Sequence, residues 1–393
     1  MLWLPLLLLA SLLTAYSQDA SPTVSAKARQ IHESALIVDT HADTPQRFLD
    51  ENFDIGSTDP KDHGHLSLDK AKAGNLRAEF FSIWVEPETN QGHYARHTLD
   101  LIDSVYEQAA RHPDRMMMAF STDDIERAHK QKKLAALMGI EGGHSIENDI
   151  HLLRDFYRLG VRYMTLTHWE TIDWADAATD SAKHGGLTPF GEEVVREMNR
   201  LGMLVDLSHV SDATMVDAIR VSRAPVFFSH SSARALANHV RNVPDSILKM
   251  VRANGGVVMV NFNPGFVSEA VRVYEDSMAR RARALRASGA DSGVVADSLK
   301  AWGARAPKAT LAQVADHIEH IRDVAGVDAV GLGSDFDGIT EVPVGLEDVS
   351  KFPDLLAELL RRGWSEQDVK KVAGLNALRV LRAAEQVAAP RKM

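Results

Sequence analysis

The chain of 393 residues contains no cysteine. That absence excludes disulfides, thiolate metal ligands and a lipid-bearing cysteine near the N-terminus. An exported form of this chain therefore holds together by core packing alone. Positive charge is also in short supply: 44 basic against 54 acidic side chains give a net charge of −10. With no basic face to neutralise phosphates, nucleic acid and anionic lipid are excluded as main partners. A small molecule is the expected ligand. Long apolar runs are missing too. The opening MLWLPLLLLASLLTAYSQDA holds a run of about 12 residues, too short to span a bilayer but of the length of a secretory signal's apolar core. Ala15-Tyr16-Ser17 places cleavage before Gln18, although no Lys or Arg precedes the run. The expectation is a signal peptide over 1–17, a single domain over 18–393, and a soluble periplasmic or secreted product. The C-terminal AAEQVAAPRKM has no hydrophobic tail, so no stable membrane anchor is expected.

What is present is a repeating alternation. Eight short runs rich in β-branched and apolar residues are bounded by turn residues: ALIVDTHAD, AEFFSIWV, LAALMGIEGG, VRYMTLTH, MLVDLSHV, APVFFSHSS, GGVVMVNF and AVGLGSDFDG. Amphipathic helical patterns lie between most of them. In TPFGEEVVREMNRLG, Thr188 is placed to cap, Pro189 opens the helix and Gly202 ends it. In SDATMVDAIRVS, Ser211 is placed to cap, with Met215, Val216 and Ile219 facing inward. Strands alternating with helices imply parallel pairing, and continuous apolar strands imply a sheet covered on both faces. The predicted fold is an α/β (β/α)8 TIM-like barrel. An open doubly wound sheet would call for a Gly-rich phosphate turn after the first strand, where THADTP stands instead. Residues 268–309 read as a helical insertion, and the tail from Phe352 as further helices.

In such a barrel the C-terminal strand ends share one rim, where catalytic groups collect. The first run ends in His41 and Asp43, the third in Glu141, the fourth in His168, the fifth in His209, the sixth in His230 and the eighth in Asp335. One H-x-D pair carries no weight alone; the shared register of all these residues does. Imidazoles with carboxylates and no thiolate suit Zn²⁺ or a similar borderline ion rather than Ca²⁺ or Mg²⁺. His41, Asp43, Glu141, His209 and His230 are one ligand too many for a single tetrahedral ion. They divide into two sites if Glu141 offers one oxygen to each. Two such ions activate a water held between them and polarise an adjacent carbonyl, which is hydrolytic chemistry.

The stretches VDTHADTP, GIEGGHSIEND, YMTLTHWETIDWAD, VDLSHVSDATM, FSHSSARAL, HVRNVPDSIL and GLGSDFDG together resemble the membrane (renal) dipeptidase family, zinc hydrolases similar to the amidohydrolase barrels. The resemblance runs from about residue 36 to 380. It implies two Zn²⁺ per chain, His41 and Asp43 on one, His209 and His230 on the other, with Glu141 bridging. It implies that Asp335 passes protons between the bridging water and the leaving amine, that His168 stabilises the tetrahedral oxyanion, and that Arg241 clamps the free carboxylate of a dipeptide. Tolerance of a C-terminal D-residue stays open. Animal members carry cysteines and a lipid anchor, which this sequence lacks, so of their assemblies only a non-covalent homodimer stays compatible.

Two other functions fit the same residues less well. One is metal-dependent hydrolysis of N-acyl amino acids or lactones; the other is a non-catalytic periplasmic ligand-binding relative, for which Asp335 would have no use. His63 and His65 are expected in a solvated loop at the opposite end of the barrel, His317 and His320 on an outer helix surface, and His144 beside Glu141 as its orienting partner, with Asp337 in a similar role.

Overall fold

Strands form where the apolar runs leave no residue exposed. In the computed structural model, which describes residues 26–388, these are β1 (Ile37–Ala42), β2 (Leu76–Trp84), β3 (Met116–Met118), β4 (Leu134–Glu141), β5 (Val161–Thr165), β6 (Leu204–Asp206), β7 (Phe227–Phe228), β8 (Val257–Val260) and β9 (Val330–Leu332). The expected signal peptide, 1–17, lies outside the described residues. All pairings are parallel, in the order β1-β2-β4-β5-β6-β7-β8-β9. The eight predicted strands are thus the staves of a nearly closed barrel.

The ninth strand was not predicted. β3 is three methionines paired with the start of β4, too short to show a periodicity of its own.

Closure between β9 and β1 relies on side chains as much as on a ladder. The Asp39 carboxylate accepts from Ser334 N at 2.8 Å, while Thr40 Oγ1 reaches both Ser229 O at 2.6 Å and Leu332 O at 3.1 Å. Past the strand ends, Asp335 N donates to His41 O at 3.0 Å and Asp43 N to Phe336 O at 2.9 Å. The seam therefore fixes the backbones of His41, Asp43 and Asp335 relative to one another.

Inside the barrel, Phe80, Tyr163, Phe227 and Met259 form one apolar cluster with Leu378, Leu381 and Ala384 of the helix Asn376–Val387. The same cluster holds Leu204 and Val257, the first residues of β6 and β8, so this helix covers the N-terminal opening. The other opening is left for the polar rim. Gly139 makes room for the largest of these interior rings: a Cβ there would lie 2.0 Å from the Tyr163 ring.

The helix reading holds locally. Thr188 accepts from Gly191 N, and the helix Pro189–Leu201 stops at Gly202, whose φ of 84° suits a residue without Cβ. Ser211 caps Asp212–Val221, but Val216 points to solvent at 39% exposure, while Ala218 takes an inward position. The insertion forms Glu269–Ala287 and Ser292–Gly303. His317 corrects its prediction. It is fully buried, its Nδ1 accepting from Ala233 N at 2.9 Å and its Nε2 donating to Val267 O at 3.2 Å, so it ties the helix Leu311–Ala325 to two rim loops. His320 is partly exposed and pairs with Asp245 at 2.8 Å.

Two outcomes are expected. Gly139→Ala forces the Tyr163 ring to move and costs about 1–3 kcal/mol in urea unfolding. Burial pushes the His317 pKa down to about 4, below the unfolded value of about 6.5. The unfolded chain then takes up the proton first, so this contribution is complete above pH 6.5 and is lost as pH falls toward 4. The difference in unfolding free energy between the wild type and His317→Asn should shrink over that interval; a difference independent of pH would refute the assignment.

Candidate metal centre

The rim gathers residues from six strands into a cavity of about 310 Å³, whose lining includes Asp43, Glu141, His168, His209, Arg241 and Asp335. Glu141, the last residue of β4, stands at its centre. Its Oε2 lies 3.4 Å from His41 Nε2. Its Oε1 lies 2.9 Å from His209 Nε2 and 3.3 Å from His230 Nε2. One carboxylate thus turns a different oxygen to each side. On the first side His41 Nε2 is also 3.5 Å from Asp43 Oδ2 and 4.0 Å from Asp335 Oδ1. Asp335 Oδ2 accepts from Asn261 Nδ2 at 2.9 Å.

These distances fit a metal cluster on the chemistry of the atoms themselves. His230 Nδ1 lies 2.8 Å from Ser229 Oγ, which in turn gives its proton to Asp206 Oδ2 at 2.6 Å. His230 therefore donates from Nδ1 and turns a bare Nε2 lone pair inward. That lone pair lies 3.0 Å from His209 Nε2 and near Glu141 Oε1. His41 Nδ1 lies 2.8 Å from the Tyr163 hydroxyl, which anchors the ring from behind. Its Nε2 and Asp43 Oδ1 are buried without a hydrogen-bond partner. Electron pairs converging in a buried pocket call for protons or cations between them, and imidazoles with carboxylates are a donor set that suits a metal ion. Three sets of donor atoms are close enough to share an ion: His41–Glu141–His230, Glu141–His168–His209 and His41–Asp43–Asp335.

Burial and mutual charge move these groups in different directions. Burial opposes ionisation of Glu141, but His41 and His168 together with the hydrogen bonds of His209 and His230 outweigh it and hold its carboxyl well below the usual range. Burial works against a charged His41, yet Tyr163, Glu141 and Asp43 outweigh it and hold its pKa well above normal. His209 and His230 are depressed by burial and stay neutral, as ligands must. Burial, opposed by His41 and reinforced by Asp43 and Glu141, pushes Asp335 up to about 8.

Backbone conformation contributes to the aim of these groups. His209 and Asp335 have φ of 69° and 67°, left-handed values that non-glycine residues adopt where the surroundings over-determine them. Gly338 lets the last loop approach: a Cβ there would meet Asp43 Oδ2 at 2.0 Å and Asp335 Oδ1 at 2.7 Å.

Arg241 lies across the cavity, 1% exposed, with Nε and one terminal nitrogen unpartnered. Burial lowers its pKa to about 10, so it remains a cation at neutral pH. His168 faces Glu141 Oε1 with Nε2 at 3.8 Å and takes a hydrogen bond on Nδ1 from Trp84 Nε1 at 3.0 Å.

All eight residues singled out in the sequence meet here. Three of the surrounding expectations need correction. His65 sits on this rim rather than at the far end: its backbone N donates to Asp337 Oδ1 at 2.6 Å, and its Nδ1 accepts from Asp337 N at 2.9 Å. His144 donates to Val85 O at 2.8 Å and makes no hydrogen bond to Glu141. Asp337 serves His65 and Thr44, whose Oγ1 donates to it at 2.6 Å. His63 is exposed in a loop as expected, but in the same segment as His65. The residues missed are those behind the cluster: Tyr163, Ser229, Asp206, Trp84 and Asn261.

Removing a group behind a ligand should weaken metal binding without unfolding the barrel. Tyr163→Phe and Ser229→Ala are each expected to lower zinc affinity about 10- to 100-fold in competition with a chelator, measured on variants that remain folded without metal. Unaltered affinity in both would show that these hydroxyls do not orient the imidazoles.

A model of the membrane dipeptidase family, peptidase family M19, matches residues 25–393. Dipeptidase tcpJ of Claviceps purpurea is 42% identical over 338 residues, 84% of this chain and 71% of that protein. Dipeptidase 3 of Rattus norvegicus is 38% identical over 377 residues, 94% of this chain and 69% of its own length. Among solved structures, the probable dipeptidase PvdM from Pseudomonas aeruginosa aligns with a TM-score of 0.82 at 28% identity, covering 92% of this chain and 98% of that one.

Proposed function

Since the chain belongs to the membrane dipeptidase family and is a metallo-dipeptidase, we propose that it cleaves the single peptide bond of dipeptides with two zinc ions per chain. His41 and Asp43 would hold one ion, His209 and His230 the other, with Glu141 shared. The observation that carries this reading is the split of the Glu141 carboxylate, Oε2 toward His41 and Oε1 toward His209 and His230. When bound, such a pair of ions lowers the pKa of water toward neutrality and polarises a carbonyl.

The chain's own residues supply the rest. Arg241 is a buried cation with donors to spare on the cavity wall. A substrate carboxylate satisfies it through the planar guanidinium fork. That contact measures length, because a longer peptide has no carboxylate one residue beyond the scissile bond. Asp335, oriented by Asn261, takes a proton from the attacking water and delivers one to the departing amine. His168 meets the carbonyl oxygen as charge develops on it. Trp169, Phe266 and Ile339 on the same wall favour apolar side chains.

Hydrolysis of N-acyl amino acids or lactones would use the same centre but would not need a free amine. A non-catalytic binding protein would leave Asp335 without a task. We also read residues 1–17 as a signal peptide, 18–393 as one domain, and the product as exported and soluble, on the strength of the opening sequence. Among the described residues no helix is long and apolar enough to cross a membrane. The sequence is compatible with a non-covalent homodimer.

The test is metal analysis with a hydrolysis screen over L,L and L,D dipeptides, N-acyl amino acids and lactones. About two zinc per chain and turnover of free dipeptides are expected. Arg241→Ala should raise KM for dipeptides by about 100-fold or more, and Asp335→Asn should lower kcat about 100-fold or more. Tight binding without turnover, or preference for lactones, would overturn the reading.

A further inference from the structure

His168 differs from the other three imidazoles of the site in what its hidden nitrogen meets. Behind His230 stands Ser229 and behind His41 stands Tyr163, hydroxyl groups that can accept a hydrogen bond as well as donate one. Behind His168 stands the indole N–H of Trp84, 3.0 Å from Nδ1. An indole nitrogen only donates. Nδ1 of His168 is therefore an acceptor, and the single proton of the neutral ring resides on Nε2. That nitrogen faces the cavity, 3.8 Å from Glu141 Oε1.

The consequence is chemical. His168 lies close enough to Glu141 and His209 to complete a metal triad, yet it turns an N–H and not a lone pair into the site. It cannot ligate through that atom without giving up the Trp84 bond. What it can do is donate to an oxygen. From the Trp84-bound state, we propose that Trp84 is a positioning residue that locks His168 in the donor tautomer, excludes it from the ligand set and aims its Nε2–H at the carbonyl oxygen of the substrate. The inference rests on the dipeptidase reading for the identity of that oxygen, but not for the tautomer.

The fold builds the arrangement from two adjacent strands. Trp84 is the last residue of β2 and pairs directly with Glu141 on β4, so the indole that sets the donor and the carboxylate at the heart of the cluster are cross-strand neighbours. The Trp84 carbonyl is held in turn by Gln46 Nε2 at 2.6 Å. The His168 ring packs against Trp84, Trp169 and His209, with centroids at 5.3, 5.0 and 4.4 Å, which leaves it little freedom to flip. A flipped or tautomerised ring would present a lone pair to a developing negative charge, turning stabilisation into repulsion.

The experiment combines spectroscopy with kinetics on the zinc-loaded protein. In ¹⁵N-histidine-labelled wild type, with His168→Asn used to assign the signal, His168 should show a bare Nδ1 and a protonated Nε2. Trp84→Phe keeps a ring and removes the donor. It should abolish that tautomer preference, lower kcat about 10- to 100-fold with KM changed less than about threefold, and leave zinc content intact. A phosphinate mimic of a dipeptide, which carries the tetrahedral oxygens, should lose affinity by a similar factor. A protonated Nδ1 in the wild type, or a Trp84→Phe variant with unchanged tautomer and kcat, would overturn the proposal. If Trp84→Phe does not fold, the wild-type spectrum decides alone. If the wild type hydrolyses no dipeptide, the functional reading fails while the spectrum still tests the tautomer.

Discussion

Three carboxylates, those of Asp43, Glu141 and Asp335, crowd around a single imidazole nitrogen of His41, and all four groups are buried or nearly so. Taking each charge out of water costs several kcal/mol, and one imidazolium offsets only one anion, which is why burial and crowding push Asp335 up to about 8. Either the carboxylates hold protons, or cations sit among them. The second solution also suits the inward lone pair of His230, whose Nδ1 proton is engaged by Ser229 and whose Nε2 lies 3.3 Å from Glu141 Oε1. Every other feature of the site follows from supplying positive charge at this point. It explains why strands as apolar as β1 and β4 end in groups that otherwise have no reason to be buried.

Holding such a cluster open requires a frame that does not relax onto it. The barrel provides this by separating its two ends. Phe80, Tyr163, Phe227 and Met259 pack beneath the centre, and the C-terminal helix covers the opposite mouth. The interior is thus an apolar support and the rim carries the chemistry. The two levels meet at Tyr163, whose ring belongs to the apolar cluster and whose hydroxyl contacts His41. The Asp206–Ser229–His230 chain does the same for the other side: Asp206 also accepts from Thr165 Oγ1 and from Ser229 N, so the residue that orients a ligand binds three strands together. Positioning of the ligands and closure of the barrel are one network.

Fold class was legible in the sequence because eight buried strands repeat the same signal, and repetition survives errors at individual boundaries. β3 was not, because three methionines carry no pattern. The five proposed ligands, with His168 and Asp335, were legible because side chains that end parallel strands share a rim by topology. The groups that orient them were harder to see, and the reason is instructive. Two of the predicted strands end without an imidazole or a carboxylate, β2 in IWV and β8 in VNF. In the structure those ends supply Trp84, which meets His168, and Asn261, which meets Asp335. Indoles and amides are neutral, so at a strand end they carry no charge signal that sets them apart from structural residues. His65 and His317 failed for a different reason: each lies outside the strands, so its height in the barrel depends on how a loop or helix packs, which no local pattern states.

The same distinction bears on how the site discriminates among its own histidines. Four imidazoles surround Glu141 within 3.8 Å of one of its oxygens, and residue type alone does not separate ligand from hydrogen-bond donor. The partner on the far nitrogen does. A hydroxyl that accepts leaves the inner nitrogen bare and ready for a cation; an indole that can only donate leaves it protonated and ready for an anion. His209 has neither, its Nδ1 being buried and unpartnered, and its ring is held instead between those of His168, Trp169 and His230. The centre therefore assigns opposite roles to identical side chains by what is placed behind them, and the information for those roles lies in strands that, read one at a time, look purely structural.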